Sequence, residues 1–254
     1  MEQHFKETLF KQYEAIDLLA MERVKLMNRL DTKFAFGKNT LNHILEKLRE
    51  DYFVLEIHGK RTLSYESLYF DDASFSLFND HHRGKSNRTK VRIRHYVDTD
   101  NYFFEIKQKH KGRTLKYRTP CVGFQPQLNP EQELFIFETL GHSMPLTAQL
   151  TNRYIRITLV HKSAEERLTL DFNIQFTSGN TCFEMDHLVI AELKQDRVQR
   201  QSPFYQLMRS MRVRPYRFSK YCMGVMALQQ NTDLKSNRFK RKKLVLDNIN
   251  DHVV

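Results

Sequence analysis

Several stretches of the chain alternate apolar and charged residues with the two-residue period of a β-strand, and the charged side of each is mainly cationic. In KVRIRHY, Arg92 and Arg94 share a face with Tyr96, while Val91, Ile93 and His95 point the other way. In NYFFEIKQKH, Glu105, Lys107 and Lys109 lie opposite Phe104 and Ile106. RLTLDFNI sets Arg167, Thr169 and Asp171 against Leu168, Leu170 and Phe172, and HLVIAELKQD sets Glu192 and Lys194 against Ala191 and Leu193. A chain built on such strands must bury the apolar side and accommodate the cationic one. Antiparallel strands commonly do this by turning the charged face to water. Solvated faces usually mix signs, because like charges on neighbouring positions repel, whereas here carboxylates occur singly among Arg and Lys. The excess of cations favours a closed or nearly closed sheet. Its apolar side would be covered by helices, and its cationic side would face inward until a polyanion relieves the repulsion.

Charge over the whole chain points the same way. Its 254 residues hold 41 Lys and Arg against 30 Asp and Glu, a formal net charge of +11. That surplus favours nucleic acid, anionic lipid or phosphorylated metabolites as partners. At 40% hydrophobic residues the chain can bury the core of one large domain. Cys121, Cys182 and Cys222 are odd in number and far apart, so neither a disulfide framework nor a zinc site is suggested, and a reducing compartment fits. The start, MEQHFKETLF, lacks a signal-peptide core, and no run approaches about 18 consecutive apolar residues. The expected location is cytoplasmic, or peripheral to the inner face of a membrane. No RNP-type aromatic pattern, zinc finger or helix-turn-helix is recognisable, so no specific nucleic-acid partner is expected.

The chain divides into an N-terminal amphipathic helix (1–28), a strand-rich domain (29–228) and a basic C-terminal tail (229–254). Phe5, Leu9, Tyr13, Ile16 and Ala20 form the stripe of the first helix, which ends near Asn28. A second helix follows Asn39 and Thr40, with Leu41, Ile44, Leu45 and Leu48 on one face. A third runs from Pro130 to Gly141. His81 and His82, in NDHHRGKSNR, read as a flexible loop. Asp71 and Asp72 suit a strand end turning into a loop, with a metal or phosphate contact as the other reading. In the tail, Lys235, Arg238, Lys240, Arg241, Lys242 and Lys243 cluster; they either collect an anionic product or dock on anionic lipid, or are simply solvated.

An ordered set of short motifs then resembles a known family. R-L-D-T-K-F (29–34), S-L-Y-F-D-D (67–72), K-V-R-I-R-H-Y (90–96), F-E-I-K-Q-K-H (104–110), L-K-Y-R (115–118), N-R-Y (152–154), R-L-T-L-D (167–171), A-E-L-K (191–194) and F-S-K-Y (218–221) together look like the VTC domain. That domain is the polyphosphate polymerase module of the vacuolar transporter chaperone complex, within the CYTH or triphosphate-tunnel superfamily. The resemblance implies an α+β fold, an antiparallel β tunnel barrel with surrounding helices. ATP's γ-phosphate would pass there to the end of a growing polyphosphate chain, with Mn²⁺ or Mg²⁺ as cofactor.

Carried over by residue, Lys33, Arg92, Arg94, Lys107, Arg153 and Lys220 would be catalytic. Lys116 and Arg167 would bind phosphate, joined by the inward-facing Lys109 and Lys194. Glu192 matches the family's metal carboxylate, and Glu105 is a second candidate. ATP and polyphosphate would be the partners, along with a separate membrane protein if the product crosses a membrane.

The balance of acids and bases bears on the reaction. A terminal phosphate oxygen is already anionic, so a polymerase needs no general base, whereas a hydrolase must orient and deprotonate water. Glu105, Asp171 and Glu192 are few beside the cations, which favours transfer. Positions 29–33 read R-L-D-T-K where CYTH hydrolases and cyclases resemble E-x-E-x-K, a departure that also disfavours hydrolysis. The alternatives are a CYTH tripolyphosphate or nucleoside-triphosphate hydrolase and a noncatalytic binder of polyphosphate or nucleic acid.

Overall fold

The computed structural model describes residues 7–23, 30–110, 113–228, 234 and 237–251. The chain begins with α1 (Glu7–Lys11), β1 (Ala15–Ile16) and α2 (Leu18–Arg23), then enters β2 (Leu30–Gly37), α3 (Leu41–Leu48), β3 (Tyr52–Leu55) and β4 (Leu63–Asp71). It continues through α4 (Ser76–Arg83), β5 (Arg88–Tyr96), β6 (Asn101–His110), β7 (Arg113–Pro120) and α5 (Pro130–Leu140). The long strands β8 (Thr147–His161) and β9 (Glu166–Ser178) precede β10 (Thr181–Met185) and β11 (Leu188–Gln195). Helices α6 (Pro203–Ser210), α7 (Lys220–Leu228) and α8 (Asn237–Asp247) close the chain.

The alternating patterns become one 11-stranded sheet, whose main path runs β2-β11-β9-β8-β4-β5-β6-β7. Every pairing along that path is antiparallel. The two ends, β2 and β7, share no backbone ladder, so the sheet curls into a tunnel without closing. Its outer face carries the apolar side of each pattern. Phe34, Leu168, Leu170, Ala191 and Leu193 pack with α3 and α6, while Val91, Ile93, Phe104 and Ile106 pack beneath Ile136 of α5. Helix α5 starts where the sequence marks it: Asn129 caps it reciprocally with Gln132, Pro130 opens its first turn, and Gly141 ends it at φ 78°.

The concave face is cationic over much of its length and apolar where α7 enters it. Tyr221, Cys222, Met223 and Val225 bury against Leu150, Tyr154, Ile174 and Phe176. Contact is close enough that a Cβ on Gly224 would lie 2.7 Å from Phe176 Cδ1. Helix α7 therefore fills the apolar part of the concave face and brings Lys220, its first residue, to the charged region.

Three expectations are corrected. The stripe over 1–28 is not a single helix: the chain turns after Lys11, and Ala15–Ile16 pair in parallel with Val54–Leu55, so backbone pairing interrupts the periodic segment. His81 and His82 occupy the last turn of α4 rather than a flexible loop, because Leu77 and Phe78 anchor that helix. The tail folds in part as α8, with Phe239 and Leu246 buried. Phe5, Asn28, Arg29 and Lys235 lie outside the described residues.

Candidate functional site

Register brings the predicted cations together. Lys33 on β2 faces Glu192 on β11 across the ladder, and Asp31 faces Lys194. Arg167 and Asp171 of β9 share that surface, opposite Lys194 and Ile190. On the other side of the tunnel, Arg92 pairs with Glu105, Lys90 with Lys107 and Arg88 with Lys109. Lys107 in turn faces Lys116 of β7. The unpaired edges approach through side chains: Lys107 Nζ lies 3.8 Å from Asp31 Oδ2. A cavity of about 460 Å³ opens at this seam, lined by Asp31, Lys33, His81, Lys90, Lys107, Lys109 and the segment Pro215–Phe218.

Each concave-face carboxylate is held by cations. Two N–H groups of Arg92 donate to Glu105 Oε2, at 2.9 and 2.6 Å, and Lys116 Nζ lies 2.5 Å from Oε1. Arg156 grips Asp171 with a fork, Nε to Oδ1 at 2.6 Å and Nη2 to Oδ2 at 2.8 Å, while Lys220 donates to the same Oδ2. Glu192 accepts from Lys33 and lies 3.5 Å from Lys194 Nζ. Aromatic rings fix the arginines. Tyr65 and Tyr154 stack at 5.5 Å, Arg156 sits 4.9 Å and 5.3 Å from their centroids, and Arg94 Nη1 donates to Tyr154 Oη at 2.7 Å.

The electrostatics follow from crowding in a partly dry space. Two unit charges roughly 7 Å apart repel by about 2 kcal/mol at an effective dielectric near 20. Burial and neighbouring cations push Lys90 and Lys194 down to about 7 and Lys116 to about 8, although Glu192 and Glu105 pull the last two back up. Lys107 and Lys220 are lowered by burial as well. The acids move oppositely to what burial alone would do. Arg92, Arg94 and Lys116 hold Glu105 below the usual carboxylate range, Arg156 and Lys220 do so for Asp171, and Lys33, Lys194 and Lys107 for Glu192. His81, at the cavity rim, is pushed down to about 2 by burial and by Lys90 and Arg88, which keeps it neutral.

Of the sequence-predicted residues, Lys33, Arg92, Arg94, Lys107, Lys109, Lys116, Arg167, Lys194 and Lys220 share the concave surface with Glu105 and Glu192. Arg153 does not. It pairs with Glu66 on the outer face, 2.9 Å from Oε1, with its side chain 59% exposed. The tunnel arginine of β8 is Arg156, which the motif match passed over. Parity would have found it, since Arg153 alternates in step with the core residues Ile155, Ile157 and Leu159, whereas Arg156 keeps step with Tyr154 and Thr158. Arg88, Lys90 and Arg118 are further cations on this surface, each set by its partner across the ladder.

The carboxylates differ in what they can hold. Glu105 has both oxygens engaged by Arg92 and Lys116, so its charge is matched by the arginine fork and a lysine. Glu192 is held only by lysine ammoniums, and Asp31 is its diagonal neighbour on β2. No cluster of three His, Cys, Asp or Glu suited to a metal occurs among the described residues. Such a site fits a magnesium- or manganese-like ion that keeps most of its waters and shares phosphate oxygens with one or two carboxylates. Asp71 is structural: it accepts from Leu77 N and Phe78 N at 2.9 Å and from the Tyr221 hydroxyl, tying α4 to α7. Cys222 is buried as expected of a packing residue, but Cys182 is exposed on β10.

A sequence profile of the VTC domain matches residues 28–229. The chain belongs to the VTC domain family. This makes it a triphosphate-tunnel enzyme, of a class that acts on nucleotide or polyphosphate substrates and depends on a metal. Among curated proteins none matches the chain. Solved structures similar to it include a candidate adenylate cyclase from Bacillus halodurans, 14% identical over 76% of this chain and 96% of that one, TM-score 0.45. The PH1819 protein of Pyrococcus horikoshii is 13% identical over 80% of this chain and 99% of its own, TM-score 0.45. A candidate adenylyl cyclase from Hippeastrum with a dominant triphosphatase activity is 13% identical over 78% and 96%, TM-score 0.47. At such scores these likenesses add nothing to the family assignment.

Proposed function

We propose that this VTC domain is a polyphosphate polymerase that transfers the γ-phosphate of ATP to the end of a growing polyphosphate chain. The observation that carries this reading is the state of the acids. Glu105, Asp171 and Glu192 are each ion-paired by tunnel cations and held ionised, and Asp31 lies against Lys107. None stands ready as the base that hydrolysis requires. An attacking chain terminus brings its own anionic oxygen.

In the proposed step, a terminal oxygen of the chain forms a bond to the γ-phosphorus. The bond from that phosphorus to the bridging oxygen breaks, and ADP leaves with the electron pair. Arg92, Arg94 and Arg156, fixed by carboxylates and tyrosines, would hold nonbridging oxygens of the transferring group. Lys33, Lys107, Lys194 and Lys220 would neutralise charge along the chain, with Lys109, Lys116 and Arg167 extending the track. Glu192, with Asp31 beside it, would hold a hydrated Mn²⁺ or Mg²⁺, which when bound supplies charge neutralisation across adjacent phosphates. Phosphate entry would release the carboxylate–lysine pairs and give the ammoniums stronger partners.

Incubation of the protein with ATP and Mn²⁺, with long-chain polyphosphate and free phosphate measured together, tests the reading. Polyphosphate and ADP in step support it. Free phosphate alone would instead make the protein a hydrolase, and neither product would make it a binding module. No helix among the described residues is long and apolar enough to cross a bilayer. On this reading, a separate membrane protein is the partner proposed for any delivery of product across a membrane.

A further inference from the structure

Between α6 and α7 the chain wraps the free edge of β2. Val213 packs on the outer core beside α6, and Phe218 buries in the inner core beside α7, so residues 211–219 pass from one face of the sheet to the other. Tyr216 N donates to Lys33 O at 2.6 Å, laying this strap along the edge that the sheet leaves unpaired. Helix α8 fastens it from outside: Tyr216 Oη donates to Lys242 O and Lys242 Nζ donates to Arg217 O, both at 2.9 Å.

The strap and the end of α6 are rich in one kind of side chain. Arg209, Arg212, Arg214 and Arg217 are all exposed, and none is ion-paired among the described residues. The sequence from 197 to 232 contains no Asp or Glu at all. Several cations at the tunnel wall meet carboxylates, as Lys33 does Glu192 and Arg92 does Glu105, whereas this run meets none among the described residues. It is also continuous with the cavity. Pro215, Tyr216, Arg217 and Phe218 form part of the lining, and Arg217 acts with Arg88, after burial, to lower the Lys109 ammonium.

We infer that Arg209, Arg214 and Arg217 form an outer track that binds the part of a polyphosphate chain lying beyond the tunnel. This inference rests on the polymerase reading for its ligand. Unpaired exposed arginines repel one another, a cost relieved by a ligand carrying charge at every repeat. Guanidinium forks suit phosphate oxygens. A single-stranded nucleic acid would need aromatic platforms for its bases as well. The strap's aromatics are committed, Phe218 to the core and Tyr216 to the backbone of α8. The occupant favoured is therefore a base-free polyanion. A triphosphate held within the tunnel would reach no farther than Arg217 at the cavity lining, but a long chain leaving by the seam would run on to Arg214 and Arg209.

The test compares two probes, tripolyphosphate and preformed long-chain polyphosphate, on the full chain and on the combined variant Arg209→Ser and Arg214→Ser, which keeps the cavity-lining Arg217 in place. Affinity for the long chain is expected to fall on the order of tenfold or more, with a shallower salt dependence, because fewer counterions are exchanged. Tripolyphosphate affinity is expected to stay at the wild-type value, which also reports that the variant is folded. Equal losses for both probes, or no loss for either, would overturn the outer track. So would an oligonucleotide that competes with long-chain polyphosphate at comparable affinity. Since the probe is preformed, a protein that makes no polyphosphate from ATP would refute the polymerase reading while leaving this binding result to stand or fall separately.

Discussion

Lys107 of β6 lies 3.8 Å from Asp31 of β2, and these two residues bridge the seam between sheet edges that share no backbone ladder. The tunnel wall is thus completed by side chains at the place where the cavity opens. Both partners are partly exposed, so the pair itself is worth no more than about 1 kcal/mol. Asp31→Asn is expected to lower the melting temperature of the anion-free protein slightly, because Lys107 then faces Lys33 without compensation. The same variant is expected to bind tripolyphosphate more tightly, as one negative charge is gone from the cavity. Thermal melts with and without tripolyphosphate check both, and weaker binding by the variant would count against a seam that admits anions.

Arg156 and Arg153 provide an internal control. Arg156 is the buried fork on Asp171, whereas Arg153 is an exposed partner of Glu66 on the other face. Arg156→Ala is expected to destabilise the fold by about 3 kcal/mol, since Asp171 is left with Lys220 alone. It should also reduce phosphoryl transfer by at least about a hundredfold if Arg156 contacts the transferring group. Arg153→Ala should leave turnover near the wild-type rate and stability within about 0.5 kcal/mol. Arg156→Lys, which keeps the charge but loses the fork, separates geometry from charge. Steady-state rates at a temperature where all variants are folded decide the matter, and a larger loss at Arg153 would reverse the assignment.

These two arginines also mark how far the sequence could be read. Strand patterning found the apolar and cationic faces, because Val91, Ile93, Phe104 and Ile106 alternate without interruption against Arg92, Arg94, Glu105 and Lys107. It faltered in two kinds of place. Between Arg153 and Ile155 the ladder to β9 shifts register at Asn173, whose φ is 50°, and matching short motifs there favoured the nearer arginine. Where local periodicity competes with long-range pairing, pairing prevails: Ile16 fits a helical stripe but, with Ala15, pairs with β3. The fate of Glu105 was not legible either, because whether a carboxylate meets a metal or an arginine depends on the ladder partner.

Glu192 and Glu105 should respond differently to loss of charge. Glu192→Gln releases Lys33 and Lys194, so metal-free tripolyphosphate binding should hold or tighten while metal-dependent turnover falls by at least about tenfold. Glu105→Gln removes the partner of Arg92 and Lys116 and should lower the stability of the anion-free protein, since Arg92 and Arg94 then crowd without a counter-charge, while the metal requirement stays as it was. A titration of activity against Mn²⁺ concentration distinguishes them. A raised metal requirement in Glu105→Gln alone, with Glu192→Gln unaffected, would exchange their roles.

Buried lysines make anion binding a protonation event. Lys90 and Lys194 sit at about 7 in the anion-free protein, far below the ordinary lysine value of about 10.4. Between those values the unfolded chain binds more protons than the folded one, so these groups cost stability most fully below pH 7. That cost shrinks as pH rises toward 10. A polyanion reverses the shift by favouring the ammonium. Tripolyphosphate binding at pH 8 is therefore expected to take up protons, and affinity should decline as pH rises from 7 to 9. Calorimetry in buffers of different ionisation enthalpy measures the uptake, and proton release on binding would contradict the pairing of these lysines with phosphate.

The docked tail yields a last test, because α8 combines anchors with charge. Phe239 and Leu246 are buried with α7 in the inner core, while Lys240 and Arg241 remain exposed. Burying side chains of this kind contributes about 1.5–3 kcal/mol each, so truncation at Asn231 is expected to cost several kcal/mol and to loosen the strap that α8 holds through Lys242. Shorter product after truncation would therefore not by itself show that the tail guides polyphosphate. Lys240→Glu with Arg241→Glu isolates the charge, since neither residue belongs to the buried face. If the tail guides product, the double variant should melt near the wild-type temperature yet make shorter chains. If α8 serves only as a clamp, chain length on gels should be unchanged in the double variant and altered only by the truncation.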